Sequence, residues 1–245
     1  MEKGENPGGI VKLASNSRST LRRRILRYLL KALFALWVFT IFQVVSLRFV
    51  NPPFTAMTLW EWIKKGDLLT DYRLYNSWRP LKDISPHIRR AVLAGEDQRF
   101  LSHHGFDFTE MNQAIKDMVL RKGFRGASTI SMQSARTVFL WPGRTLFRKI
   151  AEAYYTVLIE IFWGKERILE VYLNTVDWGE GILGVEAASK RYFHKPGSDL
   201  TASQAALLAA ILPNPHEWSP NHPNQVVLAR MKRILKDMKS MPLIP

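Results

Sequence analysis

The sequence predicts a mostly α-helical domain standing behind a single N-terminal membrane helix, and three observations carry that prediction. Residues 29–47, "LLKALFALWVFTIFQVVSL", hold one charge, Lys31, and one amide, Gln43, in an otherwise apolar run. From Ser85 onward apolar residues recur at helical spacing between caps and prolines, without long alternating β-branched runs. The 245 residues suffice for one substantial domain with an appendage, not for two large ones.

Taken in order, residues 1–28 read as a cytoplasmic basic tail, polar and structureless over its first 20 residues. The span 29–47 rises roughly 28 Å as a helix, enough for a hydrocarbon core of about 30 Å, and Lys31 lies close enough to its end to snorkel. The run is long for a signal peptide and "SLRFVNPPF" offers no small-residue cleavage site, so a retained anchor is expected. Arg18, Arg22, Arg23, Arg24 and Arg27 precede the span and only Arg48 follows at once, which puts the N-terminus in the cytoplasm and the rest outside the inner membrane. Residues 48–80 form a juxtamembrane linker or arm. In it "NPPF" breaks the membrane helix, and Trp60 and Trp62 sit on a short amphipathic stretch facing either the bilayer interface or the domain.

The domain proper spans 81–245. Ser85-Pro86 is an N-cap with proline at the first helical position. Thr201 with Gln204 makes a capping box for "ASQAALLAAIL", which Pro213 and Pro215 close. Further helices are expected over 107–121, 129–140, 146–163, 165–175, 181–192 and 223–239. The net charge of +14 divides evenly at residue 48, and the domain's share of +7 calls for an anionic partner such as lipid headgroups or a phosphorylated substrate. Nucleic acid is a poor partner for a domain outside the cell membrane. The lack of cysteine removes disulfides, thiolate metal sites and cysteine nucleophiles.

Four stretches look chemical. In "AVLAGEDQRFLSHHGFD" helical spacing puts Ile88, Val92, Glu96 and Phe100 on one stripe, so an acid stands where a leucine would be expected. Either a polar surface mimics a core face there, or the chain buries an acid for chemical use. A buried carboxyl loses solvation when ionised, and its pKa rises toward the range useful to a general base. "RGASTISMQSARTVFL" aligns Thr129, Gln133, Arg136 and Thr137 on one face, which suits a sugar beside a phosphate or is an ordinary solvated face. Arg148 and Lys149 precede Glu152 by one turn, as in many surface ion pairs. Gly179, Gly181 and Gly184 interrupt two helices and by themselves indicate a loop. His103 and His104 stand without an HExxH or comparable ligand set. With no nucleophile elbow or P-loop, carboxylate acid/base chemistry on sugars is what remains.

In order and spacing, "EDQRFLSHHG", "GASTISMQ", "RKIAEAYYTVLIE" and "ILEVYLNTVDWGEGILGVEAASKRYF" resemble the motif blocks of the peptidoglycan glycosyltransferases of glycosyltransferase family 51, most closely the monofunctional biosynthetic type. The resemblance covers about 81–215. It implies a lysozyme-like fold with a small membrane-facing jaw, and the polymerisation of lipid II into β-1,4-linked glycan with inversion and release of undecaprenyl pyrophosphate. Glu96 matches the general base, with Asp97, Phe100 and His103 as companions. Thr129, Gln133 and Arg136 match positions that contact the donor, and Glu152, behind Arg148 and Lys149, matches the second essential carboxylate. That glutamate would position or neutralise the departing pyrophosphate, directly or through a divalent cation, Mg2+ or Mn2+; no organic cofactor is implied. Met132 and Arg136 depart from the glutamine and lysine common in the family, and arginine is no geometric equivalent of lysine.

The jaw is expected near Phe124, Phe139, Leu140, Trp141 and Phe147, beside Arg121, Lys122, Arg125 and Arg144, a pairing suited to an anionic interface. Partners are then lipid II, lipid-linked glycan chains, membrane lipids, and cell-division or wall-synthesis proteins. A lytic murein glycosidase of lysozyme-like fold and a non-catalytic scaffold are the rival readings. The absence of any Ser-x-x-Lys argues against a transpeptidase.

Overall fold

The computed structural model describes residues 8–65, 77–120, 126, 128–143, 145–179 and 181–244, with side chains from residue 21 onward except 61, 64 and 65. The chain separates at Ser46/Leu47 into an N-terminal unit and a larger second one. Helix α1, Gly8–Phe49, makes up most of the first and ends three residues past the division; its apolar window Leu21–Phe49 is long enough to cross a membrane. Residues 8–20, expected to be structureless, continue this helix. Past Pro7 they contain no further proline, and extending a nucleated helix costs little per residue.

Within the second unit the described elements are helical, with one isolated bridge, Asp177 to Leu183, and no strand among the described residues. They are α2 (Ala56–Lys65), α3 (Pro86–Glu96), α4 (Phe108–Val119), α5 (Ile130–Phe139), α6 (Leu146–Phe162), α7 (Lys165–Thr175), α8 (Val185–Phe193), α9 (Ala202–Ile211) and α10 (Gln225–Asp237), with short 3-10 turns at Leu81–Asp83 and Gly197–Asp199. Ser85, Thr129, Thr145, Thr201 and Asn224 each accept a backbone N–H at the start of their helix, satisfying a donor the helix leaves free.

α9 sits between α3 and α10, and its Ala205, Ala206, Leu208, Ala209, Ala210 and Ile211 are all buried. Alanine on so many faces lets two neighbours pack closely. A second group of helices forms around α5, packed on α6 and α7. Ile130, Ile159, Ile168, Leu169, Tyr172 and Leu173 fill its interior.

Two sequence expectations change. α3 ends at Glu96, so Phe100 shares no helical stripe with it; the Asp97 N–H still bonds the Leu93 carbonyl, and the Phe100 N–H closes a turn on the Asp97 carbonyl. Phe100 is nonetheless buried. α8 begins at Val185 rather than 181, because Gly184 holds φ +78° with its α-carbon against the Asn174 carbonyl, where a Cβ would lie 2.6 Å from the oxygen. The string Gly179-x-Gly181-x-x-Gly184 has the spacing of a dinucleotide loop, but it joins two helices where such loops follow a strand.

Candidate active site

Glu96 closes α3, and the chain supplies its partners from two other helices. Arg230 on α10 donates to Glu96 Oε1 at 2.7 Å and to the Gly95 carbonyl at 2.9 Å. Gln133 on α5 donates to Oε2 at 3.1 Å, and the Tyr172 hydroxyl on α7 donates to the Gln133 amide oxygen at 3.4 Å. The Glu96 side chain keeps 13 % of its surface exposed, enough for an incoming hydroxyl to reach it. Burial pushes its carboxyl above the ordinary value, against the pull of Arg230 and Gln133. Burial likewise holds the Tyr172 phenol well above its ordinary range, with the nearby Glu96 charge adding to it.

Asp97 turns the other way. Its carboxylate binds His103 Nε2 at 2.9 Å and accepts the Ile130 N–H at 2.9 Å, while His103 Nδ1 accepts from the Gly105 N–H. Thr129 donates to the Gly105 carbonyl at 2.6 Å and caps α5. Asp97, His103, Thr129 and Phe100 are therefore buried and committed inside the protein, where they tie the loop after α3 to the start of α5. Gly105, at φ +92°, completes this junction, because a Cβ there would lie 2.8 Å from the Thr156 methyl on α6.

Thr156 stands one turn after Glu152 and donates to its carbonyl. Glu152 is 0 % exposed and ion-paired with Arg148 Nη1 and Lys149 Nζ, each at 2.5 Å. This overturns the surface ion pair that the spacing alone allowed. Both carboxylate oxygens are engaged by cations; Arg148 is nearly buried, while the Lys149 side chain is 45 % exposed. Arg136 is half-buried, and its guanidinium forms no hydrogen bond or salt bridge among the described residues. Met132 is buried, so its departure from the family's glutamine falls in the core rather than on a contact surface.

The expected jaw residues divide. Phe124, Arg121, Lys122, Arg125 and Arg144 lie outside the described residues. Leu140 is buried, and Phe139 stacks on Tyr155 with ring centroids 4.5 Å apart, so both belong to packing. Trp141 and Phe147 are exposed, and with them Phe108, Ile115, Met118, Val119 and Leu120 at α4, and Leu146, Ile150, Val157 and Ile161 on α6. α4 buries none of its residues.

Sequence reasoning missed Arg230. It sits among Arg and Lys on an amphipathic helix, and nothing local distinguishes it from its solvated neighbours.

A helical domain with a shielded carboxylate at a helix end, its pKa raised by burial, and a second, buried carboxylate paired with two cations has the groups of an acid/base enzyme. Comparison with known proteins narrows this. A family model described as "Transglycosylase" matches residues 65–239, and the chain belongs to this transglycosylase family, the peptidoglycan glycosyltransferases whose motifs it carries. A biosynthetic peptidoglycan transglycosylase of Caulobacter vibrioides is 46 % identical over 215 residues, covering 87 % of this chain and 91 % of the relative. Relatives of the same description from Rhodospirillum centenum (45 % identical, 88 % and 91 % covered) and Pseudomonas syringae (43 %, 89 % and 92 %) are similarly alike.

Proposed function

We propose that the enzyme polymerises glycan strands by transferring a growing lipid-linked chain onto lipid II. Glu96 takes the proton from the acceptor sugar's 4-hydroxyl. The freed oxygen attacks the donor's anomeric carbon in line, the bond from that carbon to the pyrophosphate oxygen breaks, and undecaprenyl pyrophosphate leaves. The α-linked donor thus becomes a β-1,4 bond with inversion. The observation that carries this reading is the Glu96 carboxylate, shielded enough to have its pKa raised and open enough to be reached.

An anion cannot neutralise an anion, so the role of Glu152 is to hold Arg148 and Lys149 toward the departing pyrophosphate, where fixed cations stabilise developing charge. The donor set at Glu152 does not fit a divalent cation, because both oxygens already face cations. Gln133 and Arg136 face the donor, while Asp97, Phe100, His103 and Thr129 hold the loop and helix that shape the site. The exposed apolar groups of α4 and α6 enter the outer leaflet beside the lipid substrate. The N-terminus lies in the cytoplasm and the catalytic domain in the periplasm, in the company of cell-division or wall-synthesis proteins.

Purified enzyme incubated with lipid II tests the reading. Polymer growth is expected, and Glu96→Gln should lower it by about 10²–10⁴-fold with the fold intact. Cleavage of finished glycan would indicate a lytic glycosidase, and no reaction a scaffold.

A further inference from the structure

We propose that Arg230 is a positioning residue for glycosyl transfer: its guanidinium, brought in by the last helix, fixes the orientation of the Glu96 carboxylate and supplies the positive charge beside it. The inference rests on the reading of Glu96 as general base and adds to it a residue outside the four motif blocks.

The geometry is that of a clamp. Arg230 Nη2 bridges two adjacent acceptors, the Gly95 carbonyl and Glu96 Oε1. The Gly95 carbonyl belongs to the last turn of α3, where a helix leaves its carbonyls without intrahelical partners, so one cation caps the helix and holds the carboxylate that ends it. The clamp is possible because α10 comes unusually close. A Cβ on Gly95 would lie 3.1 Å from Ile234 Cδ1, and Ile234 is one turn after Arg230 on the same face. The guanidinium is only 18 % exposed and its Nε is buried without a partner, a cost that packing alone would not call for.

The charged and titratable groups that bear on Glu96 are Asp97 next to it, Arg230 on α10 and Tyr172 on α7; Gln133 on α5 supplies a neutral hydrogen bond. Arg136 acts on Tyr172, and Arg233 acts on Arg230 rather than on the carboxylate. Among the described residues Arg230 is therefore the cation in direct contact with Glu96. Without it, burial and Asp97 act against ionisation with only Gln133 opposing them.

The test is the pH profile of kcat for the full chain polymerising lipid II, in the wild type, Arg230→Gln, Arg230→Lys and Glu96→Gln. Arg230→Gln should move the acidic limb up by about one pH unit or more, cut neutral-pH kcat about tenfold, and leave KM within about threefold. Arg230→Lys keeps the charge but not the fork. Its acidic limb should stay in place while kcat falls by about threefold or more, and this variant carries the test should Arg230→Gln melt below the assay temperature. An Arg230→Gln profile scaled down equally at every pH, or an Arg230→Lys enzyme of wild-type kcat, overturns the proposal and leaves Arg230 as a packing residue. Substantial turnover by Glu96→Gln would instead overturn the reading of the base, a failure distinct from this one.

Discussion

At the residue scale two carboxylates have opposite energetics. The folded pKa of Glu96 lies above its unfolded value, so folding disfavours its ionised form; the penalty is absent below about pH 4.5, grows as pH rises, and is complete above the folded pKa. Glu96→Gln is therefore expected to raise Tm at neutral pH while lowering turnover, with the gain in Tm vanishing toward pH 4; a thermal melt at both pH values measures it. Glu186 is the reverse. Burial pushes its carboxyl up, but hydrogen bonds from Lys190, the Gly197 N–H and Arg79 outweigh burial and hold it below the ordinary value. Its contribution is present above about pH 4.5 and is lost as pH falls through the lowered pKa, so Glu186→Ala should cost about 1–3 kcal/mol at pH 7 and less in acid. Glu152 marks what sequence could not show. Its i−4 and i−3 cations are those of countless exposed helices, and only the packing of α6 takes it to 0 % exposure. Glu96 was legible because an acid on an apolar stripe is a local anomaly, even though the stripe ended one turn earlier than its spacing suggested. Arg230 was not, because its partner lies 134 positions away in the chain.

At the scale of elements, caps and prolines were the most readable features. Ser85-Pro86 and the Thr201–Gln204 box start α3 and α9 where the sequence places them, since capping is decided within four residues. Junctions were less readable, because a glycine's purpose depends on what approaches it. Gly105 is the case that matters for the site. It is held at φ +92° against Thr156 of α6, and it joins the loop bearing His103 to the helix bearing Glu152. Gly105→Ala should cost more than about 1–2 kcal/mol, from the left-handed backbone and the 2.8 Å approach together, and should lower activity beyond what the lost stability explains. Chemical denaturation beside the turnover of the surviving folded fraction separates the two effects. α4 poses the converse problem, a helix with an apolar stripe that buries nothing. The stripe predicted the helix correctly, but the same periodicity serves a core-facing and a lipid-facing helix alike.

At the scale of the whole molecule, the division at Ser46/Leu47 separates an apolar helix from a unit with its own helical core and its own caps. Within the second unit Arg167 donates to the Leu47 and Val50 carbonyls and to Asn51 while pairing with Glu170. A chain beginning at Leu47 keeps every one of these contacts and should fold with a Tm within a few degrees of the full chain. Its behaviour on membranes then depends on the apolar groups left exposed. Leu146, Phe147 and Ile150 on α6, with Phe108, Ile115 and Val119 on α4, form apolar surface that water solvates poorly, on a domain of net positive charge. Each side chain of this size that reaches the acyl boundary contributes about 1.5–3 kcal/mol, so two or three suffice for measurable binding without the anchor. The truncated chain is accordingly expected to sediment with vesicles containing anionic lipid, to release partly at high salt, and to lose most binding in a Phe108→Glu/Phe147→Glu double variant whose Tm is unchanged, because neither ring supports the core. A truncated chain that stays wholly in solution at low salt would mean that α4 and α6 face something other than lipid, and that the anchor alone brings the enzyme to its substrate.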